Sequence, residues 1–290
     1  MTATALPAPS PRRRRTDKAV RGLILAGTLL ALAPLVLIVY YLLAKGLGAL
    51  SLSFFTTDPS GRFFGDPGGI RSAIVGTTLI VALATVIAVP LGIALALYLV
   101  EFGRGSRLAD VVRYFVDVLT GVPSIVFGLF IYIVLVLGGF AGTFAGWKGS
   151  IALALLMLPV VTRSSEVVLN LVPGSLREAA LALGAPRWRV IFKVVLPTAL
   201  PGILTGSLLA VARGAGETAP LLFTAFAVNA TTWNLGEQMN SLPIQIFNDV
   251  RQPQANIVER AWGSALTLVL MILLLTLVAR TVQRRSRLAP

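Results

Sequence analysis

Residues 176–203 read LREAALALGAPRWRVIFKVVLPTALPGI and join a short polar segment to a long apolar one. The alanines at 179, 180 and 182 favour a helix at the start of this stretch. Gly184 ends that helix, because glycine accepts the left-handed conformation of a C-terminal cap. Pro186 keeps the chain from resuming a helix at once. The stretch therefore predicts a short helix, a corner and then a membrane helix.

Two details of the stretch predict where its helices begin. Ser175 precedes Glu178 by three residues, which is the pattern of a capping box, and this predicts a helix start at Ser175. Residues 187–193, RWRVIFK, predict a second helical turn with a basic face. Pro197 follows and predicts the start of the next membrane helix.

The composition indicates an integral membrane protein. Of 290 residues, 56% are hydrophobic and 13% are charged, whereas soluble domains carry about 25% charged residues. The chain has no cysteine and no histidine, which excludes disulfides, thiol nucleophiles, imidazole bases and the usual zinc sites. It also has no GxxxxGK[ST] phosphate loop. We therefore expect no metal site, no cofactor and no ATP hydrolysis by this chain itself.

Long uncharged tracts predict six transmembrane helices, since about 20 residues cross a bilayer. The alternating pattern of a membrane barrel is absent. The predicted spans are residues 22–44, 72–100, 118–147, 149–162 extended through Arg163 and Glu166, 194–212 and 261–279. The tract after Pro220 is open to two interpretations, a re-entrant segment or the outer end of the fifth helix.

The basic residues predict the orientation. With the N-terminus inside, the inner segments hold roughly three times as many Lys and Arg residues as the outer ones. This distribution explains the net charge of +13 better than nucleic-acid binding does. The sequence thus predicts an all-α polytopic membrane protein with both termini in the cytoplasm. Its segments are a disordered basic tail at 1–20, a first transmembrane helix at 21–45, a transmembrane domain at 69–283 with a cytoplasmic helix near 175–190, and a tail at 284–290.

The segment VARGAGETAP, ending at Pro220, places two opposite charges inside an uncharged tract. Ionisable residues within a membrane helix are costly and are functional candidates by default, which singles out Arg213 and Glu217. Their spacing predicts that they share one helix face. Gly214 and Gly216 leave room beside them for another helix or a ligand.

An arginine in this position suits an oxyanion ligand, because the guanidinium matches carboxylate, sulfate or phosphate. Glu217 would repel a fully charged oxyanion but can accept a hydrogen bond from the P–OH of protonated phosphate. Thr218 adds a hydroxyl donor, and Pro220 weakens the helix one turn on. Two structural alternatives stay open: the pair locks two helices together, or Arg213 snorkels to the outer interface.

Two weaker candidates lie elsewhere in the spans. Arg163 and Glu166, at the inner end of the fourth span, predict either an interfacial ion pair or the lining of an inner mouth. Pro123 and Ser124, near the start of the third span, suit a kink beside a path, although ordinary helix packing produces the same pattern.

The opening stretch resembles the EAA motif of ABC importer permeases. That motif spaces E-A-A, three residues, glycine, nine residues, an aliphatic residue, one residue and L-P. The matching residues are Glu178, Ala179, Ala180, Gly184, Val194, Leu196 and Pro197. The aliphatic position holds valine where isoleucine is commoner. The resemblance implies a coupling helix that docks into a separate ATPase subunit, with Arg187 among the coupling residues.

Three segments resemble the A-type subunit of phosphate-specific (Pst) ABC importers, over roughly residues 69–225. They read GVPSIVFGLF, LPVVTRSSEVVLNLVPGSLREAALALGAPRW and ARGAGETAPLLFTA. The resemblance implies a type I importer fold, passage of inorganic phosphate past Arg213 and Glu217, and a place in the bacterial inner membrane. The implied partners are a C-type permease subunit in a heterodimer, two ATPase subunits that bind ATP and Mg, and an external phosphate-binding protein.

Other functions are compatible with the residues. One is a permease for another oxyanion such as sulfate, molybdate or phosphonate. A second is a self-sufficient secondary anion transporter or channel, which would need neither an ATPase nor the segment around Glu178. A third is a membrane scaffold that transports nothing.

Overall fold

The computed structural model describes residues 11–62, 64–103, 105–138 and 142–286. Within these ranges the chain is nearly all helical, and strand-like pairing is limited to an isolated bridge between Pro59 and Gly68. The helices, in chain order, are α1 Pro11–Gly46, α2 Leu52–Thr56, α3 Arg71–Phe102, α4 Arg107–Gly121, α5 Ser124–Leu137, α6 Gly146–Asn170, α7 Gly174–Ala182, α8 Arg187–Ala215, α9 Ala219–Leu222, α10 Leu242–Asp249 and α11 Ala255–Ser286.

Five helices in the described ranges are long and apolar enough to cross a membrane: α1, α3, α6, α8 and α11. The pair α4 and α5 is the sixth candidate, although its two helices are bent by 104°. The predicted all-α fold with about six spans is therefore confirmed. The central helix is α6, whose Leu153, Met157 and Val161 are buried against α3 and α8.

The prediction of one continuous third span over residues 118–147 is wrong. α4 ends at Gly121, α5 begins at Ser124, and α6 begins at Gly146. Val122 is extended, with φ −70° and ψ 129°, because the ring of Pro123 disfavours a helical residue before it. The kink predicted at Pro123 is thus a full corner. The fourth span is longer than its uncharged tract, because α6 continues through its charged residues to Asn170.

The tract after Pro220 does not extend α8. It forms the short helix α9 and then an irregular segment that folds back onto α5 and α6. The Ala145 amide donates to the Thr224 carbonyl at 3.0 Å, and the Met239 amide donates to the Ala225 carbonyl at 3.1 Å. Ala225 is fully buried. The alternative in which this tract is the outer end of the fifth helix is therefore wrong.

The predicted terminal tails are more helical than expected. α1 begins at Pro11, so residues 11–20 are helical, and residues 1–10 of the predicted tail lie outside the described ranges. Proline suits the first helical position, and an ion pair of 3.1 Å between Asp17 and Arg21 joins successive turns. At the other end α11 continues to Ser286, while residues 287–290 lie outside the described ranges.

Glycines let α8 approach α6 closely. A Cβ added at Gly202 would lie 2.5 Å from a methyl of Val168, and one at Gly214 would lie 2.9 Å from the sulfur of Met157. From the first contact to the second, the residue number increases along α8 and decreases along α6, so the two helices run antiparallel. Small residues at such contacts are typical of membrane helices, whose association depends on close van der Waals packing.

Lys148 is fully buried in the first turn of α6. Its Nζ donates to the carbonyl oxygens of Leu135, Gly142 and Thr143 at 2.9, 2.7 and 2.7 Å. Leu135 belongs to the last turn of α5, whose carbonyls lack helical donors. The ammonium therefore caps α5 and closes the connection to α6.

We expect Lys148→Met to lower the free energy of unfolding by about 3 kcal/mol or more, because each buried carbonyl left without a donor costs about 1–3 kcal/mol. Thermal unfolding of the purified protein in detergent measures the change. Lys45→Met is the matched control, since Lys45 is exposed at the end of α1. Equal midpoints for Lys148→Met and the wild type would show that these carbonyls do not depend on the ammonium.

Candidate functional site

The two charges that interrupt the apolar tract lie where α8 ends. α8 stops at Ala215, and Gly216 caps it, so the prediction that Arg213 and Glu217 share a helix face is wrong. Pro220 explains the end, because its ring would clash with the carbonyl of Gly216 in a continued helix. The chain then turns through Glu217 and Thr218 into α9.

Arg213 and Glu217 still face each other across the break. The Nε atom of Arg213 lies 3.8 Å from Oε1 of Glu217. This separation allows attraction between the charges but exceeds hydrogen-bond length. The Arg213 side chain is 54% exposed and the Glu217 side chain 18% exposed. The pair therefore has hydrogen-bonding capacity left for a ligand.

The two glycines beside this pair differ in what they do. Gly214 faces α6, where it makes the close contact with Met157 described above. A Cβ at Gly216 would meet only the preceding backbone, at 3.6 Å or more. Gly214 is thus needed for helix packing, whereas Gly216 borders the open side on which Arg213 lies.

The two helix breaks lie in neighbouring elements. A Cβ on Gly128 of α5 would lie 2.6 Å from Cα of Pro220, so α5 and α9 touch through their backbones. Pro123 and Ser124 stand at the start of α5, one turn before this contact. Within the described ranges, no hydrogen bond joins Pro123 or Ser124 to Arg213 or Glu217.

We expect Gly128→Ala to destabilise the protein by about 1–3 kcal/mol, because overpacking at a backbone contact forces the two helices apart. Gly121→Ala is the matched control, since a Cβ at Gly121 meets nothing within 4 Å. Both variants are compared with the wild type by thermal unfolding in detergent. If the two variants unfold alike, α5 can move away from Pro220 without cost.

Arg163 and Glu166 belong to a larger charge network. The Nη1 atom of Arg163 lies 2.5 Å from Oε2 of Glu166, and Nε of Arg113 lies 2.9 Å from Oε1 of the same carboxylate. Asp117 accepts from Arg163 at 2.8 Å, and Asp110 from Arg113 at 3.3 Å. The spacing of 110, 113 and 117 on α4 is the sequence signal that would have found these partners. Because these contacts join residues of α4 to residues of α6, the network fastens the two helices together. Its three acids outnumber its two arginines, so it offers no net positive charge to an anion.

The EAA stretch forms the short helix and corner that its sequence predicts. Gly184 has φ +80°, and the Ala185 amide donates to the Ala180 carbonyl at 3.2 Å, which closes a Schellman cap. The capping box predicted at Ser175 is wrong, because α7 begins at Gly174 with Pro173 as its N-cap and has no side-chain cap. Ser175 therefore lies inside the first turn.

Beyond the corner, α8 runs without interruption from Arg187, so Leu196 and Pro197 do not begin a new helix. A π-helical turn occupies Ile191–Val195. Pro197 explains this turn, because it has no amide hydrogen to donate to the carbonyl of Lys193 and the ladder widens ahead of it.

α7, the corner at Gly184 and the first turn of α8 form an elbow, one side of which is exposed. Glu178, Ala179 and Arg187 are exposed, whereas Ala180 is half-buried. Leu183 is 89% exposed and Trp188 56% exposed. Among the described residues, which do not include Arg104, Glu178 has no ion-pair partner. Large apolar side chains exposed together at the end of a helix bundle are typical of a protein interaction surface.

Comparison with known proteins places this arrangement in a family. The model of the family described as "Binding-protein-dependent transport system inner membrane component" matches residues 88–287. The phosphate transport system permease protein PstA of Yersinia pestis is 44% identical, covering 95% of this chain and 92% of its own. PstA of Haemophilus influenzae is 40% identical, covering 92% and 94%. PstA 1 of Mycobacterium tuberculosis strain H37Rv is 39% identical, covering 96% and 92%.

Solved structures share the fold at low sequence identity. A chain of a bacterial alginate ABC transporter has a TM-score of 0.67 and 16% identity, with 94% of this chain and 96% of that chain covered. A chain of the inward-facing MetNI methionine ABC transporter has a TM-score of 0.59 and 19% identity, with 75% and 94% covered. The predicted type I importer fold is therefore confirmed. Since relatives of nearly equal length match almost the whole sequence, the chain belongs to the family of binding-protein-dependent transport system inner membrane components, within its group of multi-pass PstA permeases.

Proposed function

We propose that this chain is one membrane-spanning subunit of an ATP-driven importer of inorganic phosphate. The observation that carries the proposal is its 44% identity to a phosphate transport permease over 95% of the chain. As a permease component it is not an enzyme, and ATP is hydrolysed by partner subunits that bind ATP and Mg. The charged helix end and the exposed elbow supply the two parts that such a subunit needs.

The substrate path passes the end of α8. Arg213 contacts an oxygen of phosphate through its exposed guanidinium. Glu217 accepts a hydrogen bond from the P–OH group, and Thr218 adds a donor. Gly216 leaves the approach clear, and Gly214 holds this helix end against α6. The open side of Arg213 faces a second permease subunit of C-type, so that the two subunits enclose one path.

The elbow receives the energy of ATP hydrolysis. Its exposed residues Glu178, Ala179, Leu183, Arg187 and Trp188 form the coupling surface. One of two ATPase subunits docks on this surface, which places α7 and both termini in the cytoplasm. An external phosphate-binding protein delivers the substrate on the opposite side of the bacterial inner membrane. The excess of basic residues in the segments on the side of α7 supports this orientation.

Uptake by the reconstituted complex tests the proposal. The complete complex is placed in proteoliposomes with ATP inside, and uptake of labelled phosphate is measured against competing sulfate or arsenate. We expect uptake that requires both ATP and the binding protein, inhibition by arsenate, and little inhibition by sulfate. Uptake by this chain alone, driven by an ion gradient, would contradict the ATP-driven mechanism. Strong competition by sulfate would contradict phosphate as the cargo.

A further inference from the structure

Arg177 ties α7 to two membrane helices. Its Nε and Nη2 atoms donate to Oε1 of Glu101 at 3.1 and 3.0 Å. Its Nη1 donates to the Val172 carbonyl at 2.7 Å, and its Nη2 also donates to the Leu169 carbonyl at 3.0 Å. Glu101 lies in the last turn of α3, whereas Leu169 and Val172 lie at the C-terminal end of α6. A single guanidinium thus holds three elements in one arrangement.

The link is largely shielded from solvent and favours an arginine. The Arg177 and Glu101 side chains are only 14% and 13% exposed. Separating two charges that have so little contact with solvent is unfavourable, so we expect these two side chains to move together. Of the carbonyls that Arg177 contacts, Leu169 lies in the last turn of α6 and Val172 lies just beyond it, where helical donors are missing. Lysine could not replace all four of these hydrogen bonds, because its ammonium has three donors on a single atom, whereas arginine spreads five over a planar fork.

α7 itself packs only weakly against the membrane helices. Ala180 is only half-buried against the cluster of Val172, Val190 and their neighbours. A cavity of about 410 Å³ opens beside the ion pair. It is lined by Glu101, Phe102, Arg177, Leu181, Arg187, Val190 and Ile191. Within the described ranges, Arg177 is also the one side chain of α7 that bonds to α3 or α6, so the ion pair bridges a gap that packing leaves open.

The end of α3 that receives Arg177 connects onward. Glu101 belongs to a π-helical turn, Tyr98–Phe102, and such turns are frequent at functional sites. In the same turn the Leu99 carbonyl accepts from Nη2 of Arg113 at 2.9 Å. Arg113 in turn bonds to Glu166 of α6. A displacement of Glu101 would therefore reach the charge network between α4 and α6.

We propose that Arg177 and Glu101 form the positioning pair that converts displacement of α7 by an ATPase subunit into movement of the inner ends of α3 and α6. This inference rests on the proposed function, because it requires an ATPase that pushes on α7. Arg177 lies on the inward side of α7, away from the exposed Glu178 and Ala179, so its role is separate from docking. It acts through Glu101 and not on the substrate.

The ratio of phosphate taken up to ATP hydrolysed tests the pair in the reconstituted complex. Coupling between two sites is typically worth 5–150-fold, so we expect Arg177→Met to lower this ratio about tenfold or more while the ATPase subunits still bind and hydrolyse ATP. We expect Arg177→Lys to lie between Arg177→Met and the wild type. Arg107→Met is the matched control, since Arg107 is exposed at the start of α4 and forms no ion pair with the other described residues.

Glu101→Ala provides a second test, because it leaves the bonds of Arg177 to α6 in place and keeps α7 attached. We expect it to lower the ratio as well, and the double variant to be no worse than Arg177→Met, since residues that act as one unit are not additive. A wild-type ratio in Arg177→Met or Glu101→Ala would overturn the proposal. So would loss of ATPase binding in both variants, because the pair would then only fold α7. If the wild-type complex hydrolyses ATP without moving phosphate, the proposed function fails instead, whatever the variants do.

Discussion

Phosphate uptake by the complete complex is expected to fall by about 10- to 100-fold when Arg213 is replaced by alanine, because a charge-assisted contact contributes about 1.5–3 kcal/mol. The loss has a structural reason. Arg213 is half exposed at the end of α8, and its 3.8 Å separation from Glu217 leaves its donors free for an oxyanion. Uptake of labelled phosphate and co-purification of the ATPase subunits are measured on the same preparation. We expect the ATPase subunits to bind normally.

A neutral pair separates a transport site from a helix lock. If Arg213 and Glu217 only hold the chain together across the break, Arg213→Met with Glu217→Met should restore uptake, since an apolar pair of similar volume can replace an ion pair without loss of stability. If Arg213 contacts phosphate, the double variant stays inactive. Arg251→Ala is the control, because Arg251 is exposed and lies against Phe247, far along the chain from this helix end. Wild-type uptake in Arg213→Ala would exclude a role in passage.

The features that the sequence predicted well are those that depend on local chemistry. Charge-free tracts of sufficient length located α1, α3, α8 and α11, because the bilayer imposes a minimum length on every span. Gly184 located the corner, because a glycine at the end of a helical pattern favours the left-handed conformation that ends a helix. The pairing of Arg163 with Glu166 followed from their spacing on one helix. Each of these predictions needed only a few neighbouring residues.

The features that were missed depend on contacts between distant segments. Lys148 is separated from α5 by a connection whose folding no local pattern reveals, so its three carbonyl partners were not foreseen. Glu101 and Arg177 lie far apart in the sequence and meet only because α3 and α6 end at the same level. Pro220 was expected to weaken the helix, but the full break before Glu217 was not foreseen. The clash of Pro220 with the carbonyl of Gly216 outweighs the apolar character of the tract.

Substitution of Gly184 by valine is expected to lower coupling by about tenfold or more while the chain still inserts in the membrane. A Cβ at this position would meet no atom within 4 Å, so the substitution causes no clash. The cost comes from the backbone, because φ is +80° and a left-handed conformation costs a residue with a Cβ about 1–2 kcal/mol. A β-branched residue is the least tolerant. The corner would relax toward a helical or extended form and move Glu178 and Trp188 apart.

The measurements for Gly184→Val are phosphate uptake and retention of the ATPase subunits on the purified permease. We expect both to fall by about tenfold or more, because a cost of about 1.4 kcal/mol lowers the population of the docking-competent corner by a factor of ten. Gly184→Asn is the matched control, because asparagine tolerates the left-handed region and should keep most of the uptake. Full ATPase binding by Gly184→Val would show that the corner does not govern docking. If asparagine is as harmful as valine, then contact at the coupling surface, and not the backbone conformation, is what Gly184 provides. Loss of ATPase binding in Gly184→Val, together with retained binding but a lowered ratio of uptake to ATP hydrolysis in Arg177→Met, would assign docking to the corner and transmission to the pair of Arg177 and Glu101.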